Sequence, residues 1–208
     1  MLHAFGSRLM KDYGDWAGFD TPEVISRRKR REGEMRLRAD ELEASFDIIH
    51  GHFIADKYLG LFKGEEFIAF FRDPFQQAVS HYYFIKRNPQ REHPETKIFH
   101  DANMSLMEYL EWPVFYNQQT QFLGSLDLDD LAFVGICEHY RQSLNLFSQY
   151  FGVDLGEERF ENVNHQRRTI DYVASRDVRR AIERTRPRDI ELYRRACERF
   201  AGQIPVSA

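Results

Sequence analysis

Three short runs of uninterrupted apolar residues punctuate the chain: FDII at 46–49, FIAFF at 67–71 and LAFVGI at 131–136. A strand with one wet face alternates apolar and polar positions, so unbroken runs bounded by polar or turn residues predict strands covered on both sides, as in a parallel sheet. Elsewhere the apolar period is that of a helix. Ser105 and Glu108 form a capping-box pattern at the head of SLMEYLEW. Leu144, Phe147 and Phe151 share one face of CEHYRQSLNLFSQYFG, which Gly152 ends. The segment DVRRAIERTRPRDIELYRRACERF predicts two helices broken around Pro187, the second with Ile190, Tyr193, Cys197 and Phe200 at core spacing. Leu2, Phe5 and Leu9 predict an amphipathic helix at the start, with nothing before Leu2 to cap it. Strand and helix alternate, so the expected fold class is α/β. No repeat or low-complexity linker interrupts the pattern, and one domain over 1–208 is expected.

Composition supports one substantial core: 208 residues, 42% of them apolar and 14% aromatic. A net charge of -4 argues against bulk affinity for nucleic acid, so an anion site has to be local. The one dense basic run is Arg27, Arg28, Lys29, Arg30 and Arg31. With acidic residues following, it reads either as a solvated helical face or as a polyanion-binding surface. Cys137 and Cys197 are the only cysteines and are expected as buried thiols in a reducing compartment. No apolar run approaches the roughly 20 residues that span a bilayer, and no signal-peptide pattern opens the chain. A cytoplasmic protein is therefore expected.

Ligands of open α/β sheets bind beyond the carboxyl ends of the strands. The run at 46–49 leads into His50, Gly51 and His52, and the run at 67–71 leads into Arg72, Asp73 and Pro74. Pro74 suits the first turn of a helix, whose N-terminal amides favour an anion beside Arg72. Ser80 lies two turns along that helix, where its hydroxyl can donate to the same anion. The competing reading pairs Arg72 with Asp73 or another carboxylate. Each histidine is either a general base, its ordinary pKa being near 6.5, or a half-buried structural residue. Zinc needs more ligands than this pair, and no third of compatible spacing stands out, so no metal is expected.

The ordered set HGHF, FFRDPFQQAVSHYYF, NQQTQFLG, FVGICEHYRQSL, NHQRRT and DIELYRRACERF resembles the carbohydrate sulfotransferases related to heparan sulfate 2-O-sulfotransferase, from about residue 46 onward. The resemblance implies a P-loop-like parallel sheet flanked by helices and 3′-phosphoadenosine 5′-phosphosulfate (PAPS) as sulfuryl donor. It implies that Arg72 and Ser80 hold the donor's 3′-phosphate, and that one histidine of the pair His50 and His52 takes the acceptor's proton; His50 is favoured as the base with His52 as its partner, the order being left open. It places Arg167, Arg168 and Thr169 in a loop closing over the nucleotide. The acceptor implied is a saccharide hydroxyl; from the chain's own charge and apolar runs, neither nucleic acid nor a membrane span is expected as partner. Two departures stand out. Gln77 occupies a position where the family usually has arginine. Related chains also open with an apolar strand and a Lys-containing, Gly/Ser/Thr-rich loop that cradles the 5′-phosphosulfate, whereas this sequence begins within the helix after it. One lost preorganised donor costs ~10²–10³ in rate, so the chain as written is expected to be nearly inactive. The expected origin is a start site assigned too late or a truncated product. The alternatives are a non-catalytic nucleotide- or glycan-binding relative, a polyanion-binding module built on 27–31, and a P-loop kinase. For the last, no Walker-type lysine loop is visible.

Overall fold

Each apolar run carries a strand, and the strands form two parallel pairs. β1 (Leu9–Asp12) runs beside β2 (Ile48–Gly51), with Leu9 opposite Ile48 and Asp12 opposite Gly51. β3 (Ile68–Phe71) runs beside β4 (Phe133–Ile136), with Ile68 opposite Phe133 and Phe71 opposite Ile136. The computed structural model describes residues 6–15, 18, 20–90, 93–155 and 175–203. Parallel neighbours need long crossovers. The first crossover holds α1 (Pro22–Leu37) and α2 (Ala39–Ser45); the second holds α3 (Pro74–Arg87), α4 (Pro94–Asp101), α5 (Leu106–Leu110) and α6 (Gln118–Leu123). After β4 come α7 (Tyr140–Phe151), α8 (Arg176–Thr185) and α9 (Pro187–Gln203).

The mixed α/β character expected from the alternation is present, with small parallel sheets flanked by helices. The β3–β4 pair is covered on both faces, as its unbroken hydrophobicity requires. On one side Phe71, Val134 and Ile136 pack with Leu192, Ala196 and Phe200 of α9; on the other Phe133 meets Leu144 and Phe147 of α7. A second cluster joins α3, α5 and α8 through Val79, Tyr82, Ile85, Leu110 and Ile182. The predicted helix ends hold as well. Ser105 and Glu108 make both bonds of the capping box, and Gly152 ends α7 in the left-handed region at φ 65°.

Five expectations change. Leu9 opens a strand instead of closing a helix; three apolar positions fit a helical face but also leave room for LMKD to pair with β2. Leu2 and Phe5 lie outside the described residues. β2 is half-buried along its length, not enclosed on both faces, because no ladder joins it to β3 among the described residues. The inner face of α9 is centred on Asp189, Leu192, Ala196 and Phe200, one step away from the expected stripe, with Tyr193 and Cys197 at its margin. Cys137 and Cys197 are half-buried, not fully buried, and neither is in a disulfide.

The basic run is the fifth. Three of its five side chains turn inward: Arg27 donates to the Gly14 carbonyl, Arg28 to the Asp15 carbonyl at 2.6 Å, and Arg31 to Asp12 at 2.6 Å. They fasten the loop after β1. Below that loop Lys57, only 5% exposed, bridges Asp12 at 2.5 Å and Asp15 at 2.7 Å, and Tyr58 donates to Asp12 at 2.8 Å. Burial pushes the Asp12 pKa up, but the bonds from Lys57 and Tyr58 and the charges of Lys57 and Arg31 outweigh it, leaving the group below its usual 3.8. A depressed carboxylate stabilises the fold above its unfolded pKa and loses that contribution as pH falls through the folded one. Asp12→Asn should therefore show a flatter loss of stability below about pH 4 than the parent chain, measured by denaturant unfolding at stepped pH. An unchanged acid limb would remove Asp12 from the acid response.

Candidate functional site

The carboxyl ends of β2 and β3 open into one cavity of about 1370 Å³, whose lining includes His50, His52, Arg72, Gln77 and Ser80. Four residues singled out in the sequence thus share one space. Arg167, Arg168 and Thr169 lie outside the described residues.

Arg72 owes its place to the strand-to-helix junction. Asp73 caps α3 by accepting from the amides of Phe75 at 2.7 Å and Gln76 at 3.3 Å, and Pro74 fills a first-turn position where a missing N–H costs nothing. This corrects one expectation: the helix amides offered to an incoming anion are already engaged by Asp73. What remains for an anion is side-chain chemistry. The Arg72 guanidinium lies 3.3 Å from the Ser80 hydroxyl, and among the described residues it pairs with no carboxylate, Asp73 included. The Arg72 backbone is clamped in both directions, its N–H donating to Gln119 Oε1 at 2.8 Å and its carbonyl accepting from Gln119 Nε2 at 2.9 Å.

Gln119 belongs to α6, which ties the two strand ends together. Phe122 of the same helix packs its ring 5.5 Å from that of His52, so β2 and β3 finish on the same side of the molecule. Asp189, 1% exposed, fixes α6 by accepting from the amides of Gln119 and Thr120 at 3.1 and 2.8 Å and from the Thr120 hydroxyl at 2.7 Å. Burial raises the Asp189 pKa while these three bonds oppose the rise. Gln77, where arginine was expected, donates to Gln118 at 3.0 Å and links α3 to α6.

The histidines sit where β2 ends. Gly51 between them packs against the backbone of its ladder partner Asp12, where a Cβ would overlap the Asp12 carbonyl, so the His-Gly-His spacing is imposed by the β1 neighbour. His50 is half-buried and its Nδ1 lies 3.0 Å from the Tyr13 hydroxyl; His52 is exposed, with the Tyr13 ring edge-on at 5.4 Å. A second titratable group lines the same cavity: Glu95, 5% exposed, lies between His81 at 3.7 Å and His93 at 3.4 Å. Among the described residues no group of three His, Cys, Asp or Glu side chains is arranged to hold a metal ion, and no helix is long and apolar enough to cross a membrane.

Sequence reasoning missed Tyr13, Asp189 and the Gln119 clamp. Gln119 falls inside a quoted motif, NQQTQFLG, but its role depends on a partner 47 positions away. Comparison of the chain with protein-family models, with curated proteins and with solved structures gave no match.

Proposed function

We propose that the chain is a PAPS-dependent sulfotransferase acting on a hydroxyl of a carbohydrate. The observation that carries the reading is the 3.3 Å approach of Arg72 to Ser80 in the cavity that His50 and His52 also line. A guanidinium that pairs with no carboxylate among the described residues, with a hydroxyl beside it, suits a phosphate, which only accepts hydrogen bonds at its ionised oxygens. Arg72 and Ser80 would hold the donor's 3′-phosphate, with Arg167, Arg168 and Thr169 as further candidates. When bound, the donor supplies the sulfuryl group: the acceptor oxygen bonds to sulfur as the bond from sulfur to the bridging oxygen breaks, leaving 3′-phosphoadenosine 5′-phosphate. His50 takes the acceptor hydroxyl's proton on a ring nitrogen, and His52 assists it. The fold within this reading is P-loop-like. In support, β2 and β3 both belong to parallel pairs and their carboxyl ends are bridged by α6.

A polyanion-binding module is disfavoured because Arg27, Arg28 and Arg31 are spent on this chain's own oxygens. The sulfotransferase reading is tested by the nucleotide's 3′ position. 3′-Phosphoadenosine 5′-phosphate should bind at least about 10-fold more tightly than adenosine 5′-monophosphate, since a hydrogen-bonded charge contributes about 1.5–3 kcal/mol. Equal affinity for the two nucleotides would remove Arg72 and Ser80 from the role given to them.

A further inference from the structure

We propose that Tyr13 is the positioning residue of His50: its hydroxyl accepts the Nδ1 hydrogen, which makes Nε2 the nitrogen that takes a proton. The purpose of that arrangement rests on the sulfotransferase reading; the arrangement itself does not. Tyr13 follows the last residue of β1 and lines the same cavity as both histidines. Its hydroxyl is 3.0 Å from His50 Nδ1, and its ring stands edge-on to His50 at 5.9 Å and to His52 at 5.4 Å.

The backbone on either side of Tyr13 is fixed. Asp12 is held by Lys57, Tyr58 and Arg31; the Gly14 amide donates to Asp12 Oδ1 at 3.3 Å and the Gly14 carbonyl accepts from Arg27. A Cβ at position 14 would overlap the Arg31 guanidinium, so a side chain here would push Arg31 away from Asp12. The buried charges under β1 thus deliver one phenol to one imidazole nitrogen.

A neutral imidazole carries one hydrogen, and the Tyr13 contact admits two arrangements. If the phenol donates, the hydrogen of His50 sits on Nε2 and that nitrogen has no lone pair to offer. If the phenol accepts, Nδ1 carries the hydrogen and Nε2 is basic. Tyr13 is 46% exposed, so its own hydrogen can be turned to solvent or the cavity, leaving its oxygen to accept. In the transfer step the acceptor hydroxyl's proton passes to Nε2 as the oxygen–sulfur bond forms. The imidazolium keeps its Nδ1 hydrogen on Tyr13. Among the described residues, Lys11 is the partner of His50 across the β1–β2 ladder, and His52, Arg72 and Glu95 are among the titratable or charged groups that line the same cavity.

The test is nitrogen-resolved NMR of the histidine rings in the full chain without nucleotide, beside Tyr13→Phe. The phenylalanine keeps the edge-on ring contacts, and the His52 signals report that the site stays folded. The parent chain should show neutral His50 protonated at Nδ1. The variant should show mixed tautomers and a proton affinity at His50 lowered about 2- to 10-fold, the worth of one hydrogen bond. A neutral His50 protonated at Nε2, or a variant with unchanged tautomer and titration, would overturn the proposal. If the tautomer is as expected but 3′-phosphoadenosine 5′-phosphate does not bind, the sulfotransferase reading fails and the hold of Tyr13 on His50 stands.

Discussion

Lys57→Met is expected to destabilise the protein by about 3–5 kcal/mol, the usual cost of removing one partner from a buried ion cluster. The Lys57 ammonium serves two carboxylates at once, Asp12 and Asp15, which are 3% and 2% exposed. Methionine fills most of the volume but leaves both acids in a poorly solvated place. Arg31 still reaches Asp12, and the Ile54 amide still donates to Asp15 at 2.9 Å, so neither acid is wholly abandoned. For a chain of this size the loss corresponds to a fall in Tm of about 6–20 °C. It also loosens the loop that carries Tyr13, so the His50 tautomer should become mixed in whatever fraction stays folded. Adding Asp15→Asn to Lys57→Met should recover part of the loss by removing one stranded charge. A fall of under about 1 kcal/mol would show that solvent reaches the cluster and that its charges do little for the fold.

Arg72→Ala is expected to weaken binding of 3′-phosphoadenosine 5′-phosphate about 10- to 150-fold, from the ~1.5–3 kcal/mol of a hydrogen bond between charged partners. Ser80→Ala, which removes a neutral donor, should cost only about 2- to 10-fold. Stability should barely change in either variant. The Arg72 guanidinium makes no ion pair among the described residues, and the Gln119 clamp grips its backbone, which alanine retains. That separation gives the prediction its force: affinity falls while Tm holds. Because the two side chains are 3.3 Å apart and would share one phosphate, their effects should not add. Arg72→Lys should restore charge but not the planar fork, and so recover only part of the affinity.

The parts of the molecule that could be read from sequence are those whose causes are local. Phe67–Pro74 announces strand, turn and helix start in eight residues, because Pro74 cannot donate an amide and Asp73 can cap. The Ser105–Glu108 box and Gly152 are likewise self-contained. β1 was hidden because LMKD carries two charged residues in four, and its Asp12 is tolerable only through Lys57, 45 positions on. Lys57 itself reads as a surface residue. Asp189 looks like part of a helix's first turn, yet it faces inward to cap α6, about 70 residues earlier. The cavity was legible as a meeting of strand ends. Tyr13 was not, since nothing near it in sequence points to His50.

The most direct test is calorimetric titration of the whole chain with 3′-phosphoadenosine 5′-phosphate, beside an Arg72→Ala/Ser80→Ala variant shown to be folded. The donor-site assignment predicts micromolar binding by the parent chain, weakened at least about 10-fold in the double variant. Binding that survives the double substitution, or no binding by a folded parent chain, would contradict it.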